Sequence, residues 1–263
     1  MNIPFIRSGG RRCARTVALT VCLLSSFASY AFAESTTIKV GTNANMNATL
    51  ITPDGPGPFP AVLVLHTSGG MEPADLAFAT RLTTEGYVTL VPEFLAAYGI
   101  SVQTRRSTFT TYAEPIYADF VATLDQLRAV PKVDGKRLGA IGFSNGGYFA
   151  LWLAATNQIQ AGVAYYGAVT GGGTDPGLSR FRQSFTAHSA PVLILHGTND
   201  STVPFEKASA LDSFLTSISA PHEFHSYDGA DHRFDRTYGD ANSAAASDAW
   251  TRTLAFLNTD LKK

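Results

Sequence analysis

Short apolar runs alternate with segments of helical periodicity along most of this chain. Five runs are apolar almost throughout, as expected of strands buried on both faces of a parallel sheet, at residues 61–65, 87–91, 138–141, 162–165 and 192–195. Around them, apolar residues recur three and four positions apart at residues 74–85, 114–129, 146–155, 205–218 and 242–258. This alternation predicts an α/β fold in which a doubly wound, mostly parallel sheet carries helices on both faces.

Further strands are predicted at the two ends of this pattern. Residues 36–40 and 47–52 are expected to form a short antiparallel pair, and residues 223–227 a last strand. No repeat, low-complexity tract or long linker interrupts residues 34–263, which are therefore predicted to form a single domain. Because ligands bind at the carboxyl ends of the strands in such sheets, functional residues should directly follow the apolar runs.

The first 33 residues have the layout of a secretory signal. Basic residues precede an apolar run at 16–27, namely Arg7, Arg11, Arg12 and Arg15. The run is too short to span a bilayer, which takes about 20 residues, and it ends at Ala31-Phe32-Ala33, so we expect cleavage after Ala33 and export. Twin-arginine export through Arg11-Arg12 and a lipoprotein site at Cys22 fit the flanking residues less well.

Loss of this leader would change the chain's charge and its cysteine chemistry. Both cysteines, Cys13 and Cys22, lie in it, and so do four of the 20 basic residues, which would leave 16 against 21 acidic ones. A mature net charge of −5, like the −1 of the whole chain, gives no basis for nucleic-acid binding. No disulfide, metal site or cofactor is expected, because neither cysteine ligands nor an H-x-x-x-H pair remain.

A G-x-S-x-G pentapeptide follows the predicted strand at 138–141 and opens the predicted helix at 146–155. In this strand–turn–helix context the motif is a nucleophile elbow, a tight turn that exposes the hydroxyl of Ser144. Strand and helix nearly touch there, so the positions of Gly142 and Gly146 require very small residues. We therefore predict Ser144 as a nucleophile.

A serine hydroxyl needs a histidine to take its proton and a carboxylate to orient that histidine. In this fold the chain order is nucleophile, acid, histidine, and among the six histidines only His232 leaves room for it. Asp200 follows the strand at 192–195 and is the predicted acid, whereas Asp228 and Asp231 lie too close in sequence to reach back to His232. His66 and His196 are expected to be structural imidazoles at strand ends.

The negative charge that develops on the substrate oxygen requires two backbone N–H donors. The N–H of Asn145, directly after the nucleophile, is one predicted donor. The second should come from the loop after residues 61–65, where we favour Ser68 and retain Thr67 as the alternative. The aromatic-rich segment 94–112 is expected to border the substrate pocket.

These motifs together resemble the dienelactone hydrolase family of α/β-hydrolases. The resemblance rests on the strand-end loop at 66–70, on residues 86–93, on the elbow at 142–146, on His196-Gly197-Thr198-Asn199-Asp200 and on His232-Arg233-Phe234. It covers nearly the whole of residues 34–263. It implies the α/β-hydrolase fold, with Ser144, Asp200 and His232 as the catalytic triad.

The chain departs from that family at two positions. Family members carry a cysteine in the elbow where this chain has Ser144, and usually a glutamate where it has Thr67. Both losses agree with a serine nucleophile, and they leave dienelactone itself open as a substrate. The resemblance also implies that arginines bind a substrate carboxylate, with Arg236 at the H-x-F-x-R position and Arg105 or Arg106 as a second cation. Thr67 is placed with them as a substrate contact.

The sequence thus predicts an exported serine hydrolase that cleaves a small ester or lactone. Two alternatives use the same residues: an acyltransferase or amidase with the same triad, and a non-catalytic α/β-hydrolase domain that only binds. No membrane association is expected after removal of the leader.

Overall fold

The computed structural model describes residues 1–2, 33–167, 176–237 and 239–262. One sheet runs through these residues, and its strands are β1 Glu34–Val40, β2 Met46–Thr52, β3 Phe59–Leu65, β4 Val88–Pro92, β5 Val133–Phe143, β6 Ala161–Tyr165, β7 Val192–Gly197 and β8 His222–Tyr227. Their order across the sheet is β1-β2-β4-β3-β5-β6-β7-β8.

Six neighbouring strands of this sheet are parallel. Strands β4, β3, β5, β6, β7 and β8 pair in parallel, whereas β2 pairs antiparallel with both β1 and β4. The carboxyl ends of the six parallel strands therefore meet along one edge of the sheet. Loops that follow β3, β5 and β7 are thereby brought together, although they are far apart in sequence.

Helices cover both faces of the sheet. They are α1 Pro73–Thr84, α2 Phe94–Ala97, α3 Ala113–Arg128, α4 Asn145–Ala155, α5 Pro176–Ser184, α6 Phe205–Ser217 and α7 Asp240–Leu261, with a short 3-10 helix at Arg105–Phe109. Alternate side chains of β3 enter two separate cores: Leu63 belongs to the core to which α3, α4 and α6 contribute, and Val62 belongs to the core to which α1 and α7 contribute. Burial on both faces explains why this strand is apolar throughout.

The predicted α/β-hydrolase fold class is confirmed by this architecture. Strand β5 begins five residues earlier than predicted, because Asp134 to Arg137 are partly exposed and polar and give no buried-strand pattern. Helices α2 and α5 were not predicted, and α5 is short and polar. The predicted leader lies almost entirely outside the described residues, so its cleavage stays a prediction.

Residues 33–262, with the gaps given above, belong to one compact unit. In the parts of the chain that the structure describes, no helix has the length and apolar character needed to cross a membrane.

Candidate active site

The turn between β5 and α4 presents Ser144 at the carboxyl edge of the sheet. Ser144 has φ 51° and ψ −107°, a left-handed conformation that non-glycine residues rarely adopt. A Cβ atom on Gly142 would overlap the carbonyl of Gly146, and one on Gly146 would overlap the carbonyl of Leu65. Strand, turn and helix are in such close contact that only glycine fits at these two positions.

The structure brings Ser144, His232 and Asp200 into one hydrogen-bonded chain. His232 Nε2 lies 3.2 Å from Ser144 Oγ, and His232 Nδ1 lies 2.7 Å from Asp200 Oδ2. These residues come from the loops after β5, β7 and β8. A Cβ atom on Gly197 would overlap the carbonyl of Ala230, so a glycine at the end of β7 lets the loops of Asp200 and His232 lie against each other.

Asp200 is held as a carboxylate by four donors. Its Oδ1 accepts the backbone N–H groups of Thr202 at 2.9 Å and Val203 at 2.8 Å, and its Oδ2 faces both His232 and His196. Burial by itself would raise the pKa of Asp200, but hydrogen bonds from His196, His232 and the Val203 N–H outweigh it and hold that pKa well below its usual range. The carboxylate is therefore charged throughout the neutral pH range.

His196 contacts the acid directly, which the sequence analysis did not foresee. Its Nε2 lies 2.8 Å from the carbonyl oxygen of Val203 and 3.2 Å from Asp200 Oδ2. Both neighbours are acceptors, so Nε2 carries the proton. His196 is a buried imidazole at a strand end, as expected, but it also fixes the orientation of Asp200.

His66 lies under the loop that follows β3. Its ring stacks on Phe94 with a centroid distance of 4.0 Å, and its Nδ1 lies 2.8 Å from the carbonyl oxygen of Thr67. Burial lowers the pKa of His66 to about 4, so the imidazole is neutral and its Nδ1–H donates to that carbonyl. His66 therefore supports the loop rather than reacting, in line with its predicted structural role.

The two predicted oxyanion donors both border the cavity beside Ser144. Asn145 is the first residue of α4, where a backbone N–H has no intrahelical acceptor. Ser68 belongs to a turn in which Thr67 Oγ1 accepts the N–H of Gly69 at 3.1 Å and the Thr67 carbonyl accepts the N–H of Gly70. Ser68 and Asn145 line the same cavity as Ser144.

The cavity has a volume of about 460 Å³. Its lining residues are Thr67, Ser68, Gly69, Val102, Arg105, Arg106, Phe109, Ser144, Asn145, Thr202, Val203, His232 and Arg233. Thr67 and Arg105, both predicted as substrate contacts, line this cavity. Arg105 and Arg106 are exposed and form no ion pair with any described residue.

One expectation about the pocket needs correction. Arg236 does not line the cavity: its guanidinium is buried and pairs with Asp75 and Asp235. Arg233, which the sequence analysis did not single out, lines it instead, because a left-handed φ of 64° turns the chain directly after His232.

Segment 94–112 borders the cavity, as predicted. Of its aromatic side chains, Phe109 lines the cavity, whereas Phe94 stacks on His66 and the hydroxyl of Tyr98 donates to Asp119. The segment borders the pocket mainly through its 3-10 helix, which carries Arg105, Arg106 and Phe109. Thr108, in the same helix, accepts a hydrogen bond from the Asn145 side chain at 3.3 Å.

No group of three or more histidine, cysteine or acidic side chains that could hold a metal ion occurs among the described residues.

A serine in a strand–turn–helix elbow, with histidine and aspartate on later loops of a mostly parallel sheet, defines an α/β-hydrolase. The sequence model of the dienelactone hydrolase family matches residues 46–261. The chain belongs to that family.

Individual relatives agree with this assignment. A Synechocystis protein provisionally named a carboxymethylenebutenolidase is 27% identical over 243 residues, which are 86% of this chain and 98% of that protein. The carboxymethylenebutenolidase of Rhodococcus opacus is 28% identical over 201 residues, 74% of this chain and 79% of its own. A Klebsiella pneumoniae crystal structure, provisionally described as a dienelactone hydrolase, superposes with a TM-score of 0.70 at 26% identity, covering 86% of this chain and 97% of that one.

Proposed function

We propose that this chain is a serine hydrolase that cleaves a carboxylic ester or lactone through an acyl-enzyme. The observation that carries the proposal is the continuous contact from Asp200 through His232 to Ser144 Oγ at the wall of the cavity. Membership of a hydrolase family supports ester or lactone hydrolysis, and the name of the Rhodococcus relative makes a lactone one candidate substrate.

The proposed reaction begins when His232 Nε2 takes the proton of Ser144 and the oxygen attacks the substrate carbonyl. Asp200 keeps the imidazole in the tautomer whose Nε2 is free, and it stabilises the imidazolium that forms. The N–H groups of Asn145 and Ser68 hold the oxyanion, each contributing about 2.7–4 kcal/mol to lowering the barrier. His232 then protonates the leaving alcohol, and water activated by the same imidazole releases the acyl group.

Active-site labelling tests this proposal. We expect a fluorophosphonate to modify the protein once, with the added mass on the peptide that contains Ser144 and with parallel loss of activity toward a short p-nitrophenyl ester. Prior incubation with substrate should slow the labelling. Ester hydrolysis that persists after complete labelling, or a label on another residue, would contradict the acyl-enzyme mechanism.

The charge of the cavity indicates an anionic substrate. Arg105 and Arg106 line it and form no ion pair with any described residue, while Arg233 is partly neutralised by Glu72 at 2.6 Å. Unpaired guanidinium groups at the mouth of a cavity are donors suited to a carboxylate. We therefore propose an ester or lactone that carries a carboxylate, which Arg105 and Arg106 contact.

The double variant Arg105→Gln/Arg106→Gln should raise KM for a carboxylate-bearing ester by about 10-fold, equivalent to about 1.4 kcal/mol. KM for the uncharged ester with the same acyl group should change less than about 2-fold, because no charged contact is lost with it. Steady-state kinetics on the two matched esters measure the difference. Arg182→Gln, on α5 and outside the cavity lining, is the control. Equal losses on both esters would refute the carboxylate contact.

Export is a further proposal, supported only by the layout of residues 1–33. Mass spectrometry of the protein recovered from outside the cytoplasm should give a first residue at or near Glu34. An intact N-terminus on the active protein would refute it.

A further inference from the structure

Three ion pairs join the segments that follow the oxyanion loop and the catalytic histidine: a long one between Arg236 Nη1 and Glu72 Oε2 at 3.7 Å, and two short ones. Arg233 Nη2 lies 2.6 Å from Glu72 Oε2, and Arg236 Nη2 lies 2.6 Å from Asp75 Oδ1. Glu72 and Asp75 stand at the start of α1, directly after the loop that contains Ser68. The spacing of three residues is the same on both sides, so the turn after His232 is fixed to α1 at two points.

The two short pairs differ in burial. The Arg233 and Glu72 side chains are about one-third exposed, whereas the Arg236 side chain is 6% exposed and the Asp75 side chain 0%. Water screens the first pair and hardly reaches the second. The pair of Arg236 with Asp75 is therefore the stronger constraint on the turn.

Arg236 also contacts the element that carries the nucleophile. Its guanidinium lies over the ring of Phe143, 4.5 Å from the ring centroid, and Phe143 directly precedes Ser144. One buried cation thus touches both the start of α1 and the strand end before the elbow.

A third set of contacts leads from Arg236 back to the imidazole. Arg236 Nε donates to Asp235 Oδ2 at 3.1 Å, and Asp235 Oδ1 accepts the hydroxyl of Tyr166 at 2.6 Å. The ring of Tyr166 packs edge-on against His232, with a centroid distance of 4.7 Å. Arg236 therefore orients the carboxylate of Asp235, and this carboxylate orients Tyr166. The ring of Tyr166 in turn packs against His232.

From these contacts we infer that Arg236 is a positioning residue for His232 and not a substrate contact. It fixes the 232–236 turn to α1, to Phe143 and to Tyr166, so that the imidazole stays aligned between Ser144 and Asp200. The inference rests on the proposed function, since alignment of His232 matters only if His232 is the base. The inferred role of Arg236 differs from the one that the H-x-F-x-R pattern implied, which was to bind a substrate carboxylate. Under the proposed function, Arg105 and Arg106 of the 3-10 helix contact that carboxylate instead.

The test compares Arg236→Met and Arg236→Lys with the wild type on the matched uncharged and carboxylate-bearing esters. We expect Arg236→Met to lower kcat by about 10- to 100-fold on both esters, with KM changed less than about 3-fold, because alignment and not binding is lost. Arg236→Lys keeps the charge and should recover part of that loss on both esters. Arg81→Lys, on α1 with its guanidinium over Trp250, is the control and should leave both constants unchanged.

Two outcomes would overturn the inference. If KM rises for the carboxylate-bearing ester alone and kcat is kept, Arg236 binds substrate. If a folded variant has wild-type kcat on both esters, the contacts do not position the base. Should Arg236→Met fail to fold, as its circular dichroism would reveal, Arg236→Lys carries the same comparison.

Fluorophosphonate labelling of the same samples separates this inference from the proposed function. A wild type that is not labelled at Ser144 refutes the proposed function and the inference with it. If the wild type and Arg236→Lys are both labelled at Ser144 and at the same rate, the inference is refuted and the proposed function stands. Labelling of Arg236→Lys at least about 3-fold slower than the wild type is the expected result.

Discussion

Replacement of Ser144 by alanine is expected to lower kcat for a short p-nitrophenyl ester by a factor on the order of 10⁴–10⁶. The hydroxyl is the group that His232 Nε2 faces at 3.2 Å, and without it the proposed acyl-enzyme cannot form. The oxyanion donors and the cavity remain in the variant, so KM should stay within about 3-fold and a small residual rate should persist.

Ser144→Ala should remove the hydroxyl without disturbing the backbone or other side chains. Alanine keeps the Cβ atom of serine, so the strain of the left-handed φ at position 144 does not change. The Ser144 hydroxyl has no side-chain hydrogen bond other than that with His232 among the described residues, so thermal unfolding should occur at nearly the wild-type temperature. Ser226→Ala, on β8 and outside the cavity, is the control and should have full activity. Retention of more than one-tenth of wild-type kcat by Ser144→Ala would remove Ser144 from the mechanism.

Much of the site could be predicted because topology places it. In a parallel sheet every strand ends at the same edge, so residues that directly follow buried runs are neighbours whatever their separation in sequence. Ser144 and Asp200 follow such runs, and the chain order then leaves His232 as the partner. Nothing about side-chain direction is needed for this step.

Side-chain direction is what the sequence could not supply. Arg233 and Arg236 stand in one short turn, and which of them enters the cavity depends on the left-handed φ of Arg233, a value that no residue pattern indicates. Arg236 binds the carboxylates of Asp235, its neighbour in sequence, and of Asp75, which is 161 residues away. Because the second partner is so distant, the burial of Arg236 could not be predicted from the local sequence. His196 was predicted as structural for a similar reason: its contact with Asp200 depends on how the loop after β7 curls back.

The polar part of β5 was missed for a different reason. Residues 134–137 lie where the strand extends beyond the core and are partly or fully exposed. Arg137 forms an ion pair with Asp134 at 2.8 Å and donates to the carbonyls of Pro58 and Leu261. Hydrophobic periodicity reports burial and not hydrogen bonding, so an exposed strand end leaves no such signal.

Replacement of Asp200 by asparagine should lower kcat by about 10⁴-fold with little change in KM. The shape of the side chain is kept, and an asparagine Oδ1 can still accept the N–H groups of Thr202 and Val203. The amide nitrogen then takes the place of Oδ2, where it faces His232 Nδ1 at 2.7 Å. An N–H₂ group can only donate there, so the imidazole must present an unprotonated Nδ1 and carry its proton on Nε2.

That tautomer points an N–H at the serine and cannot accept the serine's proton. The amide also meets the Nε2–H of His196, which loses its second acceptor. Rotation of the amide would restore that contact and the original tautomer, but it would place the N–H₂ group against the backbone N–H groups of Thr202 and Val203, and these two donors disfavour it. Measurement of kcat for wild type and variant at the same pH, with Asp228→Asn as a matched control on the His232 loop, tests the argument. Asp228 is hydrogen-bonded only to Thr198 among the described residues, and its amide variant should keep kcat within about 3-fold. If Asp200→Asn kept wild-type kcat while Asp228→Asn lost it, the acid of the triad would be Asp228, and the position of Asp200 between two imidazoles would serve stability alone.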